Sequence, residues 1–359
     1  MTYSRENNFD LIRLVAAIQV MLFHGFTFFN MTNVSWGKDF QMFVYLLPGV
    51  PIFFTISGFL IYQSLERNRT RLKKYFVNRG LRIYPALYVC LAFTILLLLI
   101  SGKIYWPLIF SKSFIGWLGA QLTFLQFLKI PAFESWGVGH PNGSLWSISV
   151  EVQFYLVLPL MVIFLLKEKT SLRTKNLILA AIVAISLAYN IWVKRTFPQD
   201  TPEFKLLSLF ILEYLYFFCT GILIHLNFDF LKKYLVGKGW IWILIFVLFT
   251  AIFHSWLNLF ENVYDASILG IIGEIILSLA TISAAYSMPS LSKKLLNGND
   301  LSYGIYIYHM PVFNYFYNQQ PNITLQKFIV ICAAIIFIAF LSWRVVEKNV
   351  LKLKTKIQL

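Results

Sequence analysis

The stretch FDLIRLVAAIQVMLFHGF, residues 9–26, decides how the chain is read. It is apolar enough to cross a bilayer, yet it carries Asp10, Arg13, Gln19 and His24. Eleven helical steps of about 100° separate Arg13 from His24, so a helix places both on one face, about 16 Å apart along its axis. Ionisable groups inside a spanning helix cost on the order of a few kcal/mol and turn toward a bundle interior or a water-filled path. The first helix is therefore expected to be part of a site as well as an anchor.

The rest of the chain agrees with a membrane setting. Of its 359 residues 58% are hydrophobic and only 13% charged, with a mean hydropathy of +0.68; soluble domains carry about 25% charged residues. The net charge of +15 does not point to nucleic acid, because the basic residues fall between apolar stretches, where they act as orientation signals. Cys90, Cys219 and Cys332 sit within apolar runs, so neither a disulfide framework nor a zinc site is expected. No small-residue cleavage site follows the first span, which is expected to stay in the mature protein.

Apolar stretches of spanning length occur near 9–29, 44–65, 83–101, 145–166, 176–193, 206–227, 239–257, 266–288, 302–318 and 326–346. The expectation is an all-α polytopic protein, a single membrane-embedded domain over 1–359 with about ten helices in one bundle. The shorter stretch 114–128 is read as re-entrant or interfacial, within a long outer segment 102–143. Positive charge fixes this choice. With both termini cytoplasmic, 21 of the 31 basic residues lie on the inner side, among them Arg5 and the seven from Arg67 to Arg82, against 8 outside. Trp106, Trp117, Trp136, Trp192, Trp240 and Trp256 lie near boundaries and suit an interfacial belt.

On this topology Arg13 lies toward the inner side and His24 toward the outer. A histidine there can serve as a general base or be a structural hydrogen-bonding group, and Asp10 can neutralise Arg13 from one turn away. In NRGLRIYP, 78–85, Arg79 and Arg82 share a helix face; their forks suit phosphate oxygens, and contact with anionic lipid is the alternative. In NGSLWSISVEVQFYLVLP, 142–159, Glu151 enters a span where a lone carboxylate must be paired, protonated or at work. Ser144, Trp146, Ser147 and Tyr155 surround it with hydroxyls and an aromatic face suited to carbohydrate, although caps and an anchor explain Ser144 and Trp146 equally. LSYGIYIYHMPV, 301–312, puts His309 mid-span among Tyr303, Tyr306 and Tyr308, as a second catalytic group or an ordinary buried histidine. Arg344 and Glu347 are read as a structural i,i+3 pair. His140, His225 and His254 look peripheral, and no metal pattern is present.

FDLIRLVAAIQVMLFH, PIFFTISGFLI, NRGLRIYPALY, SLWSISVEVQFYLVLPL and LSYGIYIYHMPV occur in that order, and together the chain resembles the bacterial acyltransferase 3 family, membrane O-acyltransferases acting on surface polysaccharides and other acceptors. The likeness runs from about residue 8 to 348. It implies an arginine–histidine element at Arg13 and His24, an arginine element at Arg79 and Arg82, a Trp-Ser-x-x-x-Glu element at Trp146, Ser147 and Glu151, and a tyrosine–histidine element at Tyr306 and His309. The likeness is to the stand-alone form, so the extra span and secreted C-terminal domain of some relatives are not expected.

The implied reaction moves an acyl group, acetyl first, from cytoplasmic acetyl-CoA to a hydroxyl of a carbohydrate or glycolipid acceptor at the bacterial inner membrane. Arg79, Arg82 and Arg13 would hold the donor's phosphates, His24 would be the base, and Glu151 would orient His24 or the acceptor. Trp146, Ser147 and Tyr155 would face the acceptor, with His309 as a further catalytic group. Acyl-CoA is a co-substrate, so no permanent cofactor is expected; membrane lipids are the surroundings and a homo-oligomer is compatible. The competing class is a non-acylating membrane protein, such as a lipid-linked glycan polymerase or ligase, or a transporter. The segment 102–143 contains no arginine, which counts against a polymerase.

Overall fold

The computed structural model describes residues 7–31, 35–67, 69, 71–123, 125–259 and 261–356. Arg5, counted above toward the inner side, lies outside the described residues, as do the side chains of Lys354 and Lys356. Among the described residues every regular element is helical. In chain order these are α1 Phe9–Phe28, α2 Gly37–Leu46, α3 Gly49–Glu66, α4 Leu72–Ile100, α5 Trp106–Ile109, α6 Lys112–Gln121, α7 Trp146–Leu160, α8 Leu172–Thr196 and α9 Pro202–Leu207. There follow α10 Leu215–Leu226, α11 Phe228–Leu235, α12 Gly239–Thr250, α13 Ile268–Ala285, α14 Leu291–Leu296, α15 Ser302–Gln319, α16 Leu325–Ser342 and α17 Lys348–Lys356.

Eight helical stretches among the described residues are long and apolar enough to cross a membrane: Phe9–Phe28, Gly37–Glu66, Leu72–Ile100, Gly143–Leu165, Leu172–Thr196, Gly239–Trp256, Ile268–Ala285 and Leu325–Leu353. The chain is a multi-pass membrane protein. Two of the ten expected spans differ from these. The stretch 206–227 is broken at Ile211–Glu213, which leaves α10 with 12 residues, about 18 Å against a hydrocarbon core of about 30 Å. The stretch 302–318 does form α15, but its tyrosines, His309 and Asn314 dilute its apolar character. Within 114–128 only α6 forms, ten residues long, about 15 Å and too short to span.

The chain divides into two compact units, with boundaries inside α1 and near the start of α7. The first comprises the chain up to Ala16, Pro48–Leu72 and Val150–Gly298. In it α3 and α10 cross closely because each has a glycine at the contact. A Cβ on Gly58 would meet the Phe218 carbonyl, and one on Gly221 the Thr55 carbonyl; small residues at such crossings let helix backbones approach. Hydroxyls of Thr55 and Ser278 bond at 2.8 Å, and Ser278 and Thr220 both donate to buried Glu274. Asn8 fixes the start of α1. Its Nδ2 donates to the Ser287 and Met288 carbonyls, its Oδ1 accepts from Ser292 N, and its own N–H donates to the Ala285 carbonyl.

The second unit comprises Ala17–Leu47, Lys73–Ser149 and the chain from Asn299 onward. Its α15 packs on α16 where a Cβ on Gly304 would meet Ala339. Buried Asn314 of α15 accepts from Val138 N at 2.9 Å and donates to the His140 and Pro141 carbonyls, which pins the turn at 137–141. Gly137 has φ +58° there, and a Cβ on it would run into Asn314.

Two expectations are corrected here. Trp106, Trp192, Trp240 and Trp256 are exposed and suit a belt, but Trp117 and Trp136 are core residues. Trp136 donates to Ser101 Oγ at 3.0 Å and Trp117 packs edge-on against Phe133, so the segment around α6 has a core of its own. Arg344 and Glu347 do not pair. The turn Trp343–Glu347 is π-helical, a wider turn that brings residues five apart together. Ser342 therefore donates to Glu347 at 3.3 Å, and Arg344 lies over the Phe340 ring.

Candidate active site

Pro311 shapes the part of α15 that matters most. Proline has no N–H, so the carbonyl four residues back, Ile307, loses its helical donor. Asn142 Nδ2 at 2.8 Å and Cys90 Sγ at 3.2 Å supply hydrogens to it, as a backbone group buried away from water requires. Asn142 Oδ1 in turn accepts from Ser144 Oγ at 2.8 Å, and Ser144 Oγ also reaches the Tyr306 carbonyl at 3.3 Å. The Tyr306 hydroxyl returns to the Ser144 carbonyl at 3.0 Å and shares a 2.5 Å hydrogen bond with Ser147. The turn before α7 is thus stapled to the face of α15 that holds Tyr306 and, one turn on, His309.

His309 is fully buried, and its Nδ1 lies 3.1 Å from the Ile305 carbonyl. A carbonyl only accepts, so the hydrogen sits on Nδ1, and Nε2 of the neutral ring is an acceptor. His24 Nδ1 is 2.9 Å from that Nε2 and must be the donor. The network therefore assigns His24 the tautomer whose Nε2 carries a lone pair. No group among the described residues hydrogen-bonds that nitrogen. The rings lie nearly parallel, 11° apart with centroids at 5.1 Å, and Phe28 stacks on His24 at 5.5 Å. His24 is half-buried, so its open nitrogen is held in place by its neighbours without being sealed by them. Gly25 keeps this region compact, since a Cβ there would meet Phe328 and Phe313.

The other expected residues fall into separate groups. Arg13 pairs with Asp10 at 3.4 Å. Arg82 pairs with Asp300 and lies beneath the Tyr303 ring, while Asp300 also accepts from Ser302 N at 3.1 Å at the start of α15. Arg79 lies one turn before Arg82 on α4, which begins at Leu72, so both arginines are within the helix. Glu151 accepts from Ser57 at 2.8 Å and from Tyr155 at 2.6 Å. Trp146, Ser147, Glu151 and Tyr155 all lie on α7, with Ser147, Glu151 and Tyr155 at successive four-residue intervals.

Several polar residues were missed in the sequence. Asp300 follows an Asn-Gly-Asn turn and reads as a cap. Ser57 lies in FFTISGFL with no local sign of its partner. Glu274, in IIGEIILS, had the same signal that singled out Glu151, a carboxylate within an apolar run.

A family model described as an acyltransferase domain matches residues 6–344. The chain belongs to that family, acyltransferase 3, and is an acyltransferase. It is similar to nodulation protein 10 of Rhizobium leguminosarum bv. viciae, 31% identical over 98% of this chain and 95% of that one. A peptidoglycan O-acetyltransferase of Listeria monocytogenes is 30% identical over 98% of this chain, which spans 57% of that relative's length. An O-acetyl transferase of Shigella phage Sf6 is 26% identical over 97% of this chain and 96% of its own. No solved structure matches.

Proposed function

We propose that the protein is an O-acyltransferase of the bacterial inner membrane that moves an acetyl group from cytoplasmic acetyl-CoA to a hydroxyl of a cell-surface or lipid-linked carbohydrate. The observation that carries this reading is the His24–His309 pair, with a neutral histidine orienting a second one whose Nε2 lone pair is open. His24 Nε2 takes the proton of the acceptor hydroxyl as that oxygen bonds to the thioester carbonyl carbon. As the C–S bond breaks, the same nitrogen returns the proton to the departing sulfur. His309 Nε2 accepts from His24 Nδ1–H throughout and stabilises the transient imidazolium, the role of the third group in nucleophile–base–orienter arrangements.

Arg79 and Arg82, with Arg13, hold the phosphates of the donor. Phosphate displaces Asp300 from Arg82 and Asp10 from Arg13, an exchange of one anion for another. Trp146, Ser147 and Tyr155 face the acceptor, with Glu151 fixing the Tyr155 hydroxyl. The name of the Listeria relative favours a glycan hydroxyl as the acceptor, and the names of the Listeria and phage relatives favour acetyl as the group moved. Both termini inside, the orientation that the positive charges favour, completes the reading. The test is acceptor-dependent release of free CoA by purified protein, together with the O-acetyl content of surface glycans in a deletion strain and its parent. Unchanged O-acetylation and no CoA release with any glycan acceptor would sink the proposal.

A further inference from the structure

A second polar feature of the first unit is absorbed by none of this. At the end of α3 and the start of α8 a cavity of about 480 Å³ is lined by Glu66, Arg67, Arg69, Glu168 and Lys175. Lys175 is the unusual member. Its side chain is 8% exposed, and among the described residues its ammonium makes no ion pair and no hydrogen bond. The aliphatic stem is the buried part, while the ammonium is open to the cavity and available to a ligand there. The carboxylate at hand is already engaged. Glu66 accepts from Tyr62 at 3.3 Å, pairs with Arg69 at 3.6 Å and faces His225 Nε2 at 3.4 Å. Arg69 is held in place by a further bond to the Leu166 carbonyl at 3.2 Å. Arg67 and Glu168 are exposed, and three cations against two carboxylates leave the lining net positive. Lys175 also lies in the first turn of α8, capped by Ser171 accepting from Thr174 N, where the helix end favours negative charge.

We propose that this cavity binds a phosphate-bearing anion, with Lys175 and Arg67 as its direct partners and Arg69, fixed by Glu66 and the Leu166 carbonyl, as the third cation. None of its residues lies on α4, and the inference does not rest on the acyl-transfer reading. The same chemistry is offered by the phosphodiester of an anionic phospholipid and by a soluble phosphate. A groove lined by Leu172, Arg173, Asn176, Leu177, Ala180, Leu223 and Asn227 runs along another face of α8 and could take an acyl chain.

The experiment follows the thermal midpoint of the purified full-length protein with two probes. Inorganic pyrophosphate is titrated into detergent-solubilised protein against sodium chloride of equal ionic strength, and nanodiscs of phosphatidylglycerol are compared with nanodiscs of phosphatidylcholine. A ligand that binds only the folded protein raises the midpoint in proportion to its occupancy. Both probes are applied in an Arg79→Gln, Arg82→Gln background, which removes the donor-phosphate arginines; at least one is expected to raise the midpoint, and adding Lys175→Gln with Arg67→Gln is expected to weaken that response at least tenfold. A response to pyrophosphate alone assigns a soluble ligand, and one to phosphatidylglycerol alone assigns a lipid headgroup. No response to either probe, or a response that survives Lys175→Gln with Arg67→Gln, overturns the proposal. Should Lys175→Gln not fold, Lys175→Arg must keep the response and Arg67→Gln alone must weaken it.

Discussion

Two histidines of this chain each face a side chain from a distant helix, and these neighbours differ in kind. His24 faces a neutral imidazole, His309, whose own Nδ1 is committed to the Ile305 carbonyl. His225 faces the Glu66 carboxylate and is packed edge-on by Phe59 and Tyr62. Both partners accept a hydrogen from the ring, and the difference lies in access: His225 Nδ1 is sealed from solvent, whereas His24 Nε2 belongs to a half-buried ring. In the sequence the two histidines are alike, each in an apolar run. Access to the far nitrogen is what the tertiary structure adds, and it singles out His24 as the proposed base.

The largest expected effect separates the two sites outright. His24→Ala should lower turnover by about 10²–10⁴, the usual contribution of a general base, with the folded protein still in the membrane. His225→Ala should lower the thermal midpoint and change turnover at most about threefold, a small effect for a group outside proton transfer. Both are read by acceptor-dependent CoA release alongside a melting curve, and equal losses of turnover would erase the distinction. Next in size, His309→Ala should lower kcat by about 10² with the KM for donor unchanged, because the base survives without its orienting partner. His309→Gln, which keeps an acceptor, should recover part of that loss. An active His309→Ala variant would leave the orienting role unsupported.

Two smaller effects sharpen the boundary between site and scaffold. Asn8→Ala removes the side chain's bonds at the start of α1 and should cost about 2–3 kcal/mol of stability at roughly 1 kcal/mol per bond. Its catalytic constants per folded molecule should be unchanged, a point checked by denaturation and specific activity together. Tyr306→Phe removes the hydroxyl shared with Ser147 and should cost about 1 kcal/mol, a rate loss of about fivefold seen in kcat rather than in KM.

Much of this was legible in advance because a bilayer punishes polar residues. Arg13, His24, Glu151 and His309 stand out among apolar neighbours, and the same rule, applied evenly, would have added Glu274. Helix boundaries were less legible. Pro48 divides the second apolar stretch into α2 and α3, and the π-helical turn at Trp343–Glu347 undid a pairing inferred from i,i+3 spacing. The tryptophans misled in two of six positions, since a local pattern cannot tell an interface anchor from the core of a short helical segment. The cluster of Glu66, Arg67, Arg69 and Lys175 was invisible as a cavity because its members come from the end of one helix and the start of another about a hundred residues on.

By itself the sequence determined that the chain is helical, crosses a membrane several times and carries the motifs of its family. Those properties follow from local hydropathy and short-range order, which need no knowledge of distant contacts. Only the tertiary structure decided who faces whom. His24 and His309 lie 285 positions apart and Arg82 and Asp300 lie 218 apart, and no local periodicity encodes such pairs. Hydrogen bonds act over about 3 Å, so the chemistry of each group is settled by whatever the packing of helices brings to that distance. For His24 that neighbour is a second imidazole, and the open Nε2 follows from it.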